Sequence, residues 1–285
     1  MTQHVLLLLT GMCEHTGLPR ALRAAFSSRA DVTFRTHGDV YTSFTSEAVP
    51  IGALRAQSSS KGRGPVDKLA CALLDAGLTQ RCDLAIAVDD LELVNVGHEA
   101  DVRELFRDAL EREAAGLTHA ELQRVAQRCS FHLLAPMVEA YFFGEHDAVE
   151  RALQNAGAPQ GTTWSTSGSS VEDFATSDAV YCDRSTSPDL PKVERKGDKG
   201  LAWRSANRER HPKHYVEFLC RDTLLGYREG RAGVAALEKL DFPQVLAGGA
   251  PLLAELLADV EDALGLPAVL GAGAGPRAPG VLRNL

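Results

Sequence analysis

Short apolar runs alternate with helical-period segments along the first half of the chain. Residues 4–10 (HVLLLLT) form an apolar run closed by Gly11, and the next apolar positions, Leu18, Leu22, Ala25 and Phe26, recur at helical spacing. This predicts a strand, a turn and a helix. Asp31 to Arg35 alternates as a second strand, whereas residues 39–64, rich in Ser, Thr and Gly, have no sustained period and read as a long loop. Val66 to Ala76 is helical in pattern, and Asp83 to Val88 (DLAIAV) is a compact apolar run suited to a strand buried on both faces. An amphipathic helix follows over Asp101 to Ala114. Another covers Thr118 to Arg128, where Thr118 and Glu121 are spaced as a capping box. Phe131 to Ala135 is a further buried strand, and Pro136 is placed to open a helix through Glu139, Tyr141 and Phe142.

Strands alternating with helices predict an α/β fold with a mainly parallel sheet flanked by helices over residues 1–156. Composition changes at Gly157. Residues 157–202, including GTTWSTSGSS at 161–170, read as a flexible insertion or linker. Residues 203–268 carry three helical patterns, His214 to Glu229, Gly233 to Leu240 and Pro251 to Leu264, which predict a helical subdomain. The glycine- and proline-containing residues 269–285 read as a disordered tail.

With 285 residues, 45% of them hydrophobic and 24% charged, the composition is that of a globular protein and excludes a wholly disordered chain. The apolar run Val5 to Leu9 is far shorter than the roughly 18 residues a membrane helix needs. It also lacks the basic start of a secretory signal, so the expected setting is the cytoplasm. Six dispersed cysteines, none in a C-x-x-C pair, read as thiols. The net charge of -8 opposes unspecific attraction to nucleic acid. From Pro191 to His214, however, eight basic residues face three acidic ones. Any anion-binding surface is expected there.

The chemistry-bearing feature is a set of acids at strand ends: Glu14 after the first strand, Asp89, Asp90 and Glu92 after the DLAIAV strand, and Glu139 after the strand at 131–135. Carboxyl ends of adjacent parallel strands line one crevice, so these side chains are placed to converge. Converging carboxylates repel unless a cation neutralises them, and hard oxygen ligands select Mg²⁺ or Mn²⁺. Each acid alone also has a plain structural use, as a turn residue, a helix cap or a first-turn acid. Glu139 stands out because it lies among Val138, Ala140, Tyr141 and Phe142, where an unpartnered acid is costly.

The stretch FHLLAPMVEAYFFGEHDAVERAL resembles an uncharacterised bacterial family with a strand followed by E-A-[WY]-F, which is similar to a divergent branch of the Toprim group of topoisomerases, primases and nucleases. The resemblance covers about the first half of the chain, with weaker echoes in HPKHYVEFLC and YREG. It implies a Toprim-like fold and a metal-dependent nuclease. Metal ligands would be Glu14, Asp89, Asp90, Glu92 and Glu139, and Glu14 and Asp90 would be catalytic. Thr10 stands where a Toprim glutamate, the general acid or base of that group, is expected.

The resemblance further implies an Mg²⁺- or Mn²⁺-dependent phosphodiester-cleaving enzyme, with DNA or RNA as partner and a setting in anti-phage defence. The alternatives are a non-catalytic module docking on a protein such as an ATPase, a homo-oligomer among them, and a small-molecule nucleotide phosphohydrolase. Arg204, Arg208, Arg210 and Lys213 are the candidate phosphate-binding residues, with Trp203 available for base stacking. The same segment also reads as a solvated basic loop. The run at 58–64 lacks the phosphate-loop pattern and predicts no ATP site. Cys13, beside Glu14 and His15, reads as an incidental thiol, and His132 as a residue packed against the sheet.

Overall fold

The computed structural model describes residues 2–45, 51–58, 64–79, 81–183, 208–272 and 280–285. The first half runs β1 (Gln3–Leu9), α1 (Met12–Phe26), β2 (Val32–Thr36), α2 (Ile51–Ser58), α3 (Pro65–Thr79), β3 (Leu84–Asp90), α4 (Glu99–Ala114), α5 (His119–Arg128) and β4 (Cys129–Leu134). Short α6 (Glu139–Phe142) and α7 (His146–Ala156) follow, then α8 (Ala179–Cys182), α9 (Pro212–Leu219), α10 (Val234–Leu237), α11 (Phe242–Ala247) and α12 (Pro251–Ala263). The four strands form one parallel sheet in the order β2-β1-β3-β4. The α/β class expected from the alternating pattern is therefore present, with helices on both faces.

Strand alternation decides which face each side chain serves. Val5, Leu7 and Leu9 of β1 and Leu84, Ile86 and Val88 of β3 enter one apolar cluster with α1, α7 and the C-terminal helices. Leu8, Ala85, Ala87, Phe131 and Leu133 enter the opposite cluster with α3, α4 and α5. Continuing the β3 alternation sends Asp90 toward the C-terminal helices and Asp89 toward the other layer.

Local chemistry accounts for several boundaries. The expected capping box is formed: Glu121 N–H donates to Thr118 Oγ1, and Thr118 N–H to Glu121 Oε2 (2.8 Å). Gly157 ends α7 at φ 84°, a conformation that favours glycine. Proline occupies the first turn of α9, α11 and α12, where a missing amide costs nothing.

Other expectations are corrected. The loop expected over 39–64 contains α2. Pro136 does not open a helix: it lies three residues before α6, and its carbonyl accepts the Glu92 N–H (2.7 Å). The helix expected over 214–229 ends at Leu219. The linker expected at 157–202 is irregular in its described part but not free. Val171, Phe174 and Tyr181 are buried in the same cluster as β1, and Val171 N–H donates to Gly248 O (2.9 Å). The helices described between 208 and 268, within the expected helical subdomain, share that cluster and complete one face of the sheet. The tail expected to be disordered at 269–285 is anchored over 280–285. Leu282 is buried, Arg283 N–H donates to Cys129 O (2.9 Å), and the Asn284 amide pairs with both backbone groups of Phe131 on the β4 edge. An unpaired edge is exposed to wrong partners, and this segment covers it. Among the described residues no helix is long and apolar enough to cross a membrane.

Candidate functional site

The carboxyl ends of β1, β3 and β4 open on a cavity of about 220 Å³. Glu14, Asp90, Glu92 and Glu139 line it together with Gly11 and Cys13. The C-terminal helices close it with His211, Lys213, His214 and Glu229. Four of the five predicted metal ligands thus meet in one place.

Each acid is delivered by a different local device. Glu14 sits in the first turn of α1 and its carboxylate folds back over Gly11, where an added Cβ would lie 1.9 Å from Glu14 Oε2. Only glycine leaves that space. Asp90 ends β3, and Glu92 follows at φ 62° and ψ 151°, a combination nearly confined to glycine that costs about 1–3 kcal/mol. The turn is pinned at two successive residues, since Leu91 N–H donates to Leu134 O (2.8 Å) and Glu92 N–H to Pro136 O. Glu139 opens α6 and accepts a hydrogen bond from Tyr227 Oη (2.9 Å).

Burial raises every one of these carboxyl groups. Glu14 is pushed up to about 7, by burial first and by the nearby Glu139 charge second. Glu92 is pushed up to about 8 by burial, against the pull of Lys213. Asp90 is held well above its ordinary range by burial and by Glu14, and Glu139 is raised by burial in spite of Lys213. Lys213 is ion-paired with Glu229. Burial would lower its pKa, but Glu139 and Glu229 outweigh that and raise it. The Asp90 and Glu14 carboxyls are hydrogen-bonded to each other, sharing a proton, and Asp90 Oδ1 has no further partner. Buried carboxyls in contact are stabilised either by such a shared proton or by a cation between them.

The cavity is not a closed cage. Among the described residues, the only trio offering ligand atoms within 4.8 Å of one another is His146, Asp147 and Glu150, exposed at the start of α7. That trio could hold a metal, but its side chains are 69%, 76% and 42% exposed, as in an ordinary solvated helix start. No three of the cavity acids bring ligand atoms that close together.

Three predicted site residues are corrected, and a fourth lies outside the described residues. Asp89 points into the opposite layer, where Thr10 Oγ1 donates to its Oδ1 (2.6 Å) and Thr45 Oγ1 to its Oδ2 (3.1 Å). Strand alternation is the reason: neighbours on β3 cannot face the same side. Thr10, where the resemblance expects a glutamate, thus braces the strand end that carries Asp90. Arg208 is buried with its guanidinium 4.8 Å from the Tyr181 ring centroid, and Arg210 is ion-paired with Asp173. Neither lines the cavity. Arg204 lies outside the described residues, as does Trp203.

Lys213 remains in place as a candidate phosphate contact, inside the cavity rather than on a basic loop. His132 is buried against the sheet as expected and pairs with Asp259 (3.2 Å). Cys13 is buried, and burial raises its thiol well above the ordinary value, consistent with an inert side chain.

Sequence reasoning left Glu229 and Tyr227 unassigned. Their signal was the YREG echo, and HPKHYVEFLC supplies His211, Lys213 and His214 to the same wall. The chain matches no family model, no curated protein and no solved structure. The Toprim resemblance accordingly rests on the quoted residues alone.

The close approach at Gly11 yields a direct expectation. Gly11→Ala displaces the Glu14 carboxylate, and on the metal-dependent reading proposed below it lowers Mn²⁺ affinity about 10–100-fold, the usual cost of disturbing a ligand's support. Unchanged affinity in a titration would show that Glu14 does not need this position.

Proposed function

We propose that this protein is an Mg²⁺- or Mn²⁺-dependent phosphodiester-cleaving enzyme whose centre is the cavity at the carboxyl ends of β1, β3 and β4. The observation that carries this reading is the convergence of buried carboxyl groups from three strand ends on one cavity, with Asp90 and Glu14 in direct contact. Asp90 would hold the ion with one further carboxylate from among Glu14, Glu92 and Glu139, and water would complete its coordination. When bound, a divalent cation polarises a phosphoryl oxygen and lowers the pKa of its water.

The chain's own groups supply the rest. Lys213 places a positive charge where the phosphoryl oxygens enter, and Tyr227 holds Glu139 in orientation through its hydroxyl. In the metal-free protein Glu14 and Glu92 are pushed up to about 7 and about 8, so part of their protons must leave when an ion binds near neutrality. Thr10 leaves the position of the Toprim general acid or base without an ionisable group.

Calorimetric titration with Mn²⁺ tests the reading. Wild type binds with release of protons at pH 7, because ligands that hold protons must give them up to the ion. Asp90→Asn and Glu139→Gln lose the binding. Wild type that binds no ion removes the proposal. Binding without turnover on any phosphoester leaves the non-catalytic module suggested by Thr10.

A further inference from the structure

Lys213 is drawn toward several carboxyl groups and is tied to one of them. Glu139, Glu229 and Glu217 all attract its ammonium, and it acts in turn on Glu92 and Glu139 deeper in the cavity. Its ion pair is with Glu229. The two side chains are 32% and 33% exposed, whereas Glu14 and Glu139 are 5% and 2% exposed. The pair therefore stands at the cavity mouth. An ion pair this open to water adds little to stability, so its placement matters more to the cavity than its strength.

A lysine stem is long and has many rotamers, and an ammonium beside a cluster of carboxyl groups settles wherever its anchor stands. Unanchored, Lys213 would fall inward onto Glu139 and Glu92. There it would act as an internal counter-ion, which a divalent ion would have to displace. Glu229 supplies an anchor at the rim, and its own backbone is held in place. Arg228 O accepts the N–H groups of Arg231 (3.0 Å), Ala232 (2.8 Å) and Gly233 (3.3 Å), closing the turn that Glu229 opens. That turn packs directly on α1. A Cβ added at Gly233 would stand 2.9 Å from Cys13 Sγ and 2.7 Å from Tyr227 Oη. Two residues before Glu229, Tyr227 gives Glu139 a neutral donor through its hydroxyl (2.9 Å). One short stretch thus supplies Glu139 with an uncharged bond and draws the competing cation away from it.

Resting on the metal-dependent reading above, we propose that Glu229 is a positioning residue, whose carboxylate holds the Lys213 ammonium at the cavity mouth, clear of the divalent ion and ready for an incoming phosphoryl oxygen. Glu229 acts on the ion through Lys213 and is not one of its oxygen donors.

A double-mutant cycle read by calorimetric titration of the full chain with Mn²⁺ tests this. Glu229→Gln keeps the volume and removes the anchor, and with Lys213 then competing it should lower Mn²⁺ affinity by about 10-fold or more. Lys213→Met should bind Mn²⁺ no more weakly than wild type. With Lys213→Met already in place, the loss caused by Glu229→Gln should be smaller by about fivefold or more. A residue that ligates the ion, or that only supports the turn, costs the same factor in both backgrounds. Equal losses, or effects short of these sizes, overturn the inference and spare the metal reading. Wild type that binds no Mn²⁺ sinks that reading and this inference with it. Should circular dichroism show Glu229→Gln unfolded, Glu229→Asp, which draws the anchor back by one methylene, enters the same cycle with a loss of about threefold expected beside Lys213 and none beside Met.

Discussion

On the metal-dependent reading proposed above, Asp90→Asn and Glu14→Gln should each lower phosphoester hydrolysis by about 10³-fold at saturating Mn²⁺ while leaving the fold intact. A metal ion contributes several kcal/mol of transition-state stabilisation, and each 1.36 kcal/mol is a factor of ten in rate. Both amides are close in volume to the acids they replace, so packing around the cavity is preserved. Asp89→Asn provides the contrast. That side chain lies in the other layer, held by Thr10 and Thr45, and acts on the site only through the position of β3. Its expected loss is about 10-fold, at the low end for a supporting residue. Rates and circular dichroism of the three variants check this. An Asp90→Asn variant within threefold of wild type would remove Asp90 from the proposed reaction.

The second large effect is on stability. Glu14 has its pKa raised from 4.5 to about 7 in the folded protein, so the folded state binds this proton more tightly than the unfolded chain does. Its contribution is fully present below pH 4.5 and is lost as pH rises through about 7, on the order of 3 kcal/mol. Glu92, raised to about 8, carries the loss further. The metal-free protein should therefore melt roughly 5–10 °C lower at pH 8.5 than at pH 5.5. Asp259 runs the other way. Although burial opposes it, bonds from His132, Ser130 and Arg283 hold it low, and the stability it adds is lost only under acid conditions, outside this window.

Added Mg²⁺ or Mn²⁺ should restore the alkaline loss, by about 2.7 kcal/mol at a hundred times the dissociation constant. Glu14→Gln, which carries no charge to bury, should flatten the slope and stabilise the metal-free protein at pH 8.5. Thermal melts at the two pH values, with and without metal, decide the matter. Equal melting temperatures across the range would mean that the acids are not strained by burial.

The periodic signals of the first half translated well into structure because they report local physics. Two-residue alternation and buried runs mark strands, the Thr118 and Glu121 spacing marks a helix start, and acids at strand ends mark the crevice of a parallel sheet. Short elements were less legible. The segment Glu139–Phe142 is one turn, too brief for a period, and its start was read from Pro136, whose backbone instead receives the Glu92 amide. The reading of Arg208 and Arg210 failed for a different reason: charge along the chain says nothing about whether an ion-pair or aromatic partner is folded against it.

By itself the sequence determined the parallel α/β class, the strand ends and four acids of one cavity, since these follow from side-chain period and strand polarity. Only the tertiary structure decided that Asp89 faces away, that Thr10 serves it, that Lys213 and Glu229 close the cavity from the far half of the chain, and that Tyr227 bonds to Glu139. Those outcomes depend on which face a layer of helices covers and on contacts between residues more than 80 positions apart, as between Glu139 and Tyr227. No local pattern encodes such distances; they are set when the C-terminal helices bury their apolar side on the sheet.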